Sequence, residues 1–237
     1  MRQSEWRRVA GFRVVLSWPS EGYSEPPRRP GRGWASRLAG LAGTGLIVFG
    51  LVAILVVFVS QKHAPKPSAS AAGTTGVGRT IALRRSVPMS VSIPAISLQS
   101  SLLRLGNNPS GGMQVPDLQT SSQFAAWYKY SVTPGQLGAS VILGHVDSYG
   151  GPAVFFRLGA IRPGDTIDVT LADGVTAVFR VTGVRTYPKS SYPSSLIYSA
   201  HGYSGLRLIT CGGDFDYSTG HYLSSVVVFA VLQSWHH

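Results

Sequence analysis

Two short segments carry residue types that could do covalent chemistry. Leu206 to Gly213 reads LRLITCGG, an apolar run ending on Cys211, the one cysteine of the 237-residue chain. Val141 to Ser148 reads VILGHVDS and places His145 directly after a second apolar run. A lone cysteine can neither close an intramolecular disulfide nor build a cysteine-rich zinc site. A thiol and an imidazole together can do nucleophilic catalysis. A thiol with a pKa near about 8.5 is mostly protonated at neutral pH, and a nearby imidazolium favours the thiolate. The imidazole can then give a proton to a leaving amine and take one from an incoming nucleophile.

Such chemistry needs both groups at one edge of a rigid scaffold. If 206–211 is a strand, Leu206, Leu208 and Thr210 face one side, and Arg207, Ile209 and Cys211 face the other. Cys211 would be the last strand residue, where two glycines turn the chain sharply and leave the sulfur accessible at the rim. Other strand candidates are Val87–Ile93, Ala139–Leu143, Thr166–Leu171, Val175–Val184 and Ser225–Leu232. Ala172-Asp173-Gly174 reads as the turn of a hairpin, with Val175, Ala177, Phe179 and Val181 on one face of the returning strand. Ala153–Leu158 is expected to make one helical turn. Many short strands punctuated by Gly and Pro, without long amphipathic helices, predict an all-β domain closed into a barrel, which removes exposed strand edges.

Composition agrees: 44% of residues are hydrophobic and 13% charged, with 28 Gly and 15 Pro. The formal charge of +11 is mostly a property of the N-terminal tail. Residues 1–37 hold eight Arg against three Glu, whereas from Arg84 onward ten Lys or Arg face seven Asp, a balance of +3. No aromatic–basic stripe accompanies the charge, so a nucleic-acid partner is not expected. Leu38 to Val59 is an uncharged apolar run of 22 residues. At about 1.5 Å per residue it spans roughly 33 Å, enough for one transmembrane helix. Eight Arg precede it and only Lys62 and Lys66 follow closely, which places the N-terminus in the cytoplasm and the remainder outside. The expected organisation is a basic cytoplasmic tail (1–37), a membrane helix (38–59), a flexible Pro/Ser/Ala/Gly linker (60–80) and a catalytic domain (81–237).

The segments GHVD and LITCGG, together with the short N-terminal anchor, resemble the sortases. Further local matches are GPAVFFRLGAIRPGD, the YPKSSYP stretch at 187–193 and FDYSTGHYLSSVVVFA at 215–230. Together they look most like the class F sortases of Gram-positive bacteria, over about residues 87–232. The resemblance implies an eight-stranded sortase β-barrel, preceded by one transmembrane helix. It also implies cleavage of an LPxTG-like sorting signal between Thr and Gly, through a thioacyl enzyme resolved by an amine on a cell-wall precursor. Cys211 would be the nucleophile and His145 the catalytic histidine. Ile209, Thr210 and Gly212 beside the cysteine, and His221 beyond it, are expected to contact the substrate. No metal or other cofactor is expected.

Sortases also use an arginine after the cysteine, and here residues 212–237 contain no Arg or Lys. Three substitutes are open. Arg207 shares strand parity with Cys211 and is the residue expected to supply the catalytic donor; His221 could do so when protonated, or backbone N–H groups near Gly212 and Gly213 could bind the oxyanion alone. Among rival functions, L,D-transpeptidases carry a cysteine signature absent here, and papain-like wall hydrolases place Cys before His. The remaining alternative is a catalytically weak or dead barrel serving as a membrane-tethered peptide-binding module.

Overall fold

Alternation is strongest in the hairpin around Gly174. There Ile167, Val169 and Leu171 on one strand, and Ala177, Phe179 and Val181 on the other, are buried while their neighbours face out. The turn is closed by Leu171 N–H to Val175 O at 2.8 Å and the return bond Gly174 N–H to Leu171 O at 3.1 Å. Gly174 has φ +85°, a left-handed conformation that a residue without Cβ adopts freely.

The computed structural model describes residues 63–73 and 81–237. The tail 1–37, the apolar run 38–59 and linker residues 60–62 and 74–80 lie outside the described residues. The strands are β1 (Pro88–Ile93), β2 (Leu98–Leu105), β3 (Ala125–Tyr128), β4 (Gly138–Leu143), β5 (Asp147–Ser148), β6 (Gly151–Pro152), β7 (Thr166–Leu171), β8 (Thr176–Pro188), β9 (Ser204–Asp216) and β10 (His221–His236). One short α-helix, α1, covers Ser194–Tyr198. Eight strands close a barrel in the order β1-β2-β3-β4-β9-β10-β8-β7, and β5-β6 form a separate two-stranded ribbon. The pairs β2/β3 and β4/β9 are parallel.

The barrel interior is filled by Val91, Ile93, Trp127, Ile142, Phe179, Leu208 and their neighbours. A smaller cluster of Val141, Leu143, Ile197, Ile209, Val227 and Phe229 lies on the other face of β4, β9 and β10. Its members alternate with the interior set, so this part of the sheet is covered on both sides, by the barrel core within and by α1 without. That explains why β9 reads as a continuous apolar run.

Three expectations are corrected. The strand carrying Cys211 does not end there but runs on to Asp216. The strands at Leu98–Leu105 and Ala125–Tyr128 were not anticipated, nor was α1. The helical turn expected at Ala153–Leu158 falls slightly later, as a 3-10 turn over Leu158–Ala160.

Of the segment expected to be a flexible linker, residues 63–73 lie against the barrel. Ala71 is 1% exposed and joins the interior cluster. Two glycines make the approach possible: a Cβ on Gly159 would stand 2.0 Å from the Pro65 carbonyl oxygen, and one on Gly183 would stand 2.7 Å from that of Ala72. Arg185 Nε donates to the Ala72 carbonyl at 3.2 Å, and Lys66 pairs with Asp214 at 3.4 Å. The small residues that suggest flexibility in a sequence also allow backbone to lie close on backbone.

Candidate active site

β4 and β9 run side by side in parallel, with Leu143 opposite Ile209 and the Gly144 N–H donating to the Ile209 carbonyl at 3.1 Å. β4 ends at Leu143, and His145 follows Leu143 by two residues just as Cys211 follows Ile209, so both lie at the same end of this strand pair. Cys211 shares the parity of Ile209 and projects from the outward face, and both Cys211 and His145 are partly exposed. Gly144 is needed next to the histidine because a Cβ there would stand 2.6 Å from the Phe155 ring. The Phe155 N–H donates to the His145 carbonyl at 2.9 Å and fixes its backbone. The ring is fixed as well, since its Nε2 lies 2.7 Å from the Pro116 carbonyl oxygen. A carbonyl can only accept, so Nε2 carries the hydrogen and Nδ1 is left to exchange a proton. Next to Pro116, the Asp117 carboxyl is held below its ordinary range. The backbone and hydroxyl of Thr120 are the main cause, and His145 adds a small contribution.

Cys211 sits opposite Ser225 of β10. Just beyond it the ladder slips, so that Gly213 and Asp214 together face the single residue Leu223. Gly213 at the slip has φ +78°. This is a β-bulge, a device that re-aims side chains beside functional sites. Past the bulge, the Tyr222 hydroxyl donates to the Asp147 carboxylate on the loop after His145. Burial first, and then Asp147, raise the Tyr222 phenol above its ordinary range, and Cys211 is among the charges that act on it. Tyr222 and Asp147 thus tie β10 to the segment after His145 at the rim, and Asp147 is engaged with Tyr222.

The structure places Cys211 and Ile209 on one face of β9, with His145 at the same end of the neighbouring β4, and leaves the other expected residues elsewhere. Arg207 shares that face but lies four residues back, about 13 Å along the strand. It is 2% exposed, and its guanidinium is spent on neighbours. Nε donates to Ile197 O at 3.0 Å, Nη1 to Leu206 O at 3.1 Å, and Nη2 to Ser199 O and Tyr203 Oη, each at 3.0 Å. It caps the end of α1 and stacks over Phe229, and does not reach the thiol. Thr210 is 5% exposed and points into the barrel with Leu206 and Leu208, where no peptide can touch its side chain. Gly212 faces inward too, since a Cβ would stand 2.7 Å from Val226 Cγ2. His221 is exposed and pairs with Asp216, roughly 16 Å of strand beyond Cys211.

A cation does stand at the sulfur, and it is one that the sequence reading passed over. Lys189 Nζ lies 3.6 Å from Cys211 Sγ. It was within the YPKSSYP stretch, but its nearness to Cys211 depends on β8 and β9 flanking β10, which no local pattern reveals. Tyr128, Tyr187 and Tyr192, together with Met113, pack around the outward cluster and form a largely aromatic wall to this face. A cavity of about 330 Å³ opens at the far end of the same face, around Arg185, Leu196, Arg207 and Phe229, and includes neither Cys211 nor His145.

A protein-family model described as the sortase domain matches residues 91–233. No match is found among the curated proteins. Solved structures similar to this chain include sortase C1 of Streptococcus agalactiae, at 21% identity and a TM-score of 0.46, covering 61% of this chain and 66% of that one. Sortase A of Listeria monocytogenes matches at 17% identity and a TM-score of 0.47, over 65% of this chain and 90% of that one. Sortase A of Corynebacterium diphtheriae matches at 20% identity and a TM-score of 0.46, over 64% of this chain and 62% of that one. The chain thus spans just under two thirds of the length of the first and third of these structures.

Proposed function

The chain belongs to the sortase family of cysteine transpeptidases, and from that premise we propose that it cleaves an LPxTG-like sorting signal between Thr and Gly and transfers the acyl part to an amine of a cell-wall precursor. The observation that supports this reading is the parallel register of β4 and β9, in which Leu143 faces Ile209 two residues before His145 and Cys211 respectively. The Cys211 thiolate attacks the Thr carbonyl carbon, and the C–S bond forms as the carbonyl π pair moves to oxygen. Collapse expels the Gly amine, which takes its proton from the His145 imidazolium at Nδ1. The incoming amine then attacks the thioester, gives its proton to His145 and releases the thiolate.

The local matches at 215–230 and around GHVD support placement in class F. The apolar run 38–59 and the arginines before it support a single-pass anchor, with the N-terminus in the cytoplasm and the catalytic domain outside.

The test uses the full-length chain in detergent with fluorogenic LPxTG-type peptides, with and without an amine acceptor. Acceptor-dependent turnover that vanishes in Cys211→Ala and His145→Ala supports transpeptidation. If no peptide is cleaved and a thiol-reactive sulfone fails to label Cys211, the peptide-binding barrel becomes the better reading.

A further inference from the structure

We propose that Lys189 is a catalytic residue: its ammonium faces the Cys211 thiolate and binds the oxyanion formed there, in the role that the sortase resemblance assigns to an arginine. The inference rests on the transpeptidase reading above, but the contact that carries it does not. Lys189 Nζ is 3.6 Å from Sγ, and among the described residues Lys189 forms no ion pair with a carboxylate. An ammonium with no carboxylate partner, its tip on a nucleophilic sulfur, is arranged for chemistry rather than for a surface charge pair.

The fold explains how a lysine two strands away arrives there. β8, β10 and β9 lie side by side, and one row across them reads Tyr187, Ser225, Cys211. β8 ends at Pro188, which has no N–H to continue the ladder, and a 3-10 turn begins at Lys189. Lys189 follows Tyr187 by two residues, and the contact of its Nζ with Sγ shows that its tip lies on the same face as the thiol. Two strand spacings, about 10 Å, separate its strand from that of Cys211. On β10, Ser225 faces Cys211 directly, and its small side chain leaves room beside the thiol for a group that arrives from β8. The serine and the lysine are therefore complementary: the position directly opposite the thiol is small, and the cation reaches the sulfur from the strand beyond.

In the reaction Lys189 makes and breaks no covalent bond and keeps its proton. When the thiolate adds to the carbonyl carbon, negative charge moves from sulfur to the carbonyl oxygen one bond further out. An ammonium already beside the sulfur can follow that charge with a short stem rotation and donate to the oxyanion. His145 on the other flank handles the proton transfers. Because the stabilisation is greatest in the transition state, its loss falls on kcat more than on KM.

The experiment uses the full chain in detergent, as wild type, Lys189→Ala, Lys189→Arg and the double variant Lys189→Ala/Ser225→Arg. The first readout needs no substrate: labelling rates of Cys211 with an anionic and a cationic methanethiosulfonate of similar size. The wild type should favour the anionic reagent, Lys189→Ala should reduce that preference about tenfold, and Lys189→Arg and the double variant should restore it. The second readout is peptide turnover, where Lys189→Ala should lower kcat by a hundredfold or more with KM little changed, and both arginine variants should recover part of it. A labelling preference unchanged in Lys189→Ala overturns the proposal, as does unchanged kcat. A preference that behaves as expected while the wild type cleaves no peptide leaves the Lys189–Cys211 pair standing and rejects the substrate assignment instead.

Discussion

Nε2 of His145 lies 2.7 Å from the carbonyl oxygen of Pro116, in the loop before β3, and this contact selects which ring nitrogen carries the hydrogen. With Nε2–H committed to a backbone acceptor, the neutral ring presents a lone pair at Nδ1 alone. The expected outcome is a neutral His145 that is overwhelmingly the Nε2–H tautomer. Imidazole 15N chemical shifts of the folded protein above pH 8 would check it. A signal for the Nδ1–H tautomer would mean that the Pro116 contact does not hold in solution.

The burial of Arg207 makes an unusual separation of stability from catalysis. Its guanidinium holds the carbonyls of Ile197 and Ser199 at the end of α1, and removing it leaves buried acceptors without donors. Arg207→Ala is expected to destabilise the domain by on the order of 3 kcal/mol. At about 3 °C per kcal/mol for a domain of this size, Tm should fall by roughly 9 °C. Well below that lower Tm, kcat per folded molecule should remain within a few-fold of wild type. A hundredfold loss of kcat in fully folded Arg207→Ala would return Arg207 to the catalytic machinery.

Much of the fold was legible because alternation is a local signal. The hairpin about Gly174 and the outward parity of Arg207, Ile209 and Cys211 follow from period 2 and turn chemistry alone. β2, with LQSSLLRL, mixes serines into its buried positions, and β3 is only four residues long, so neither shows a usable period. The candidates His145 and Cys211 stand out in the sequence because each directly follows or ends an apolar run. Parity placed Arg207 on the right face, but parity says nothing of distance along the strand, and Arg207 has closer partners in α1. Lys189 was hidden for the opposite reason: it is far from Cys211 along the chain and joined to it only by strand order. Residues 63–73 were misread because composition cannot separate a free tether from a strap that fits between glycines.

That strap offers a direct measurement. A methyl added at Gly159 would stand 2.0 Å from the Pro65 carbonyl oxygen, which is backbone and cannot swing aside as a side chain tip would. Gly159→Ala should therefore displace residues 63–73 from the barrel while leaving the eight-strand ladder intact. The expected result is faster proteolytic cutting within 63–73 and a lower Tm, with the barrel core still protected. Lys66→Ala removes only an exposed ion pair and should change stability by under about 1 kcal/mol. Equal cutting in Gly159→Ala and wild type would show that the strap does not rely on that close approach.

Three tyrosines near the catalytic face set the behaviour at high pH. Burial is the largest cause that raises the phenols of Tyr192, Tyr198 and Tyr222 above the ordinary value of 10.0. A group whose folded pKa is raised keeps its proton longer in the native state than in the unfolded chain. Its contribution to stability is complete below the unfolded value and is lost as pH rises from there through the folded value. Stability should therefore be flat with respect to these groups up to about pH 9.5 and fall steeply above about pH 10. Tyrosinate absorbance at 295 nm, followed together with circular dichroism, would check this: part of the tyrosine signal should appear only as the protein unfolds. Tyr222→Phe removes one of the three groups and also its bond to Asp147, so it should flatten the alkaline decline. If all the tyrosines titrate near pH 10 while the native spectrum persists, the raised values are wrong, and with them the closed packing around Tyr192 and Tyr222.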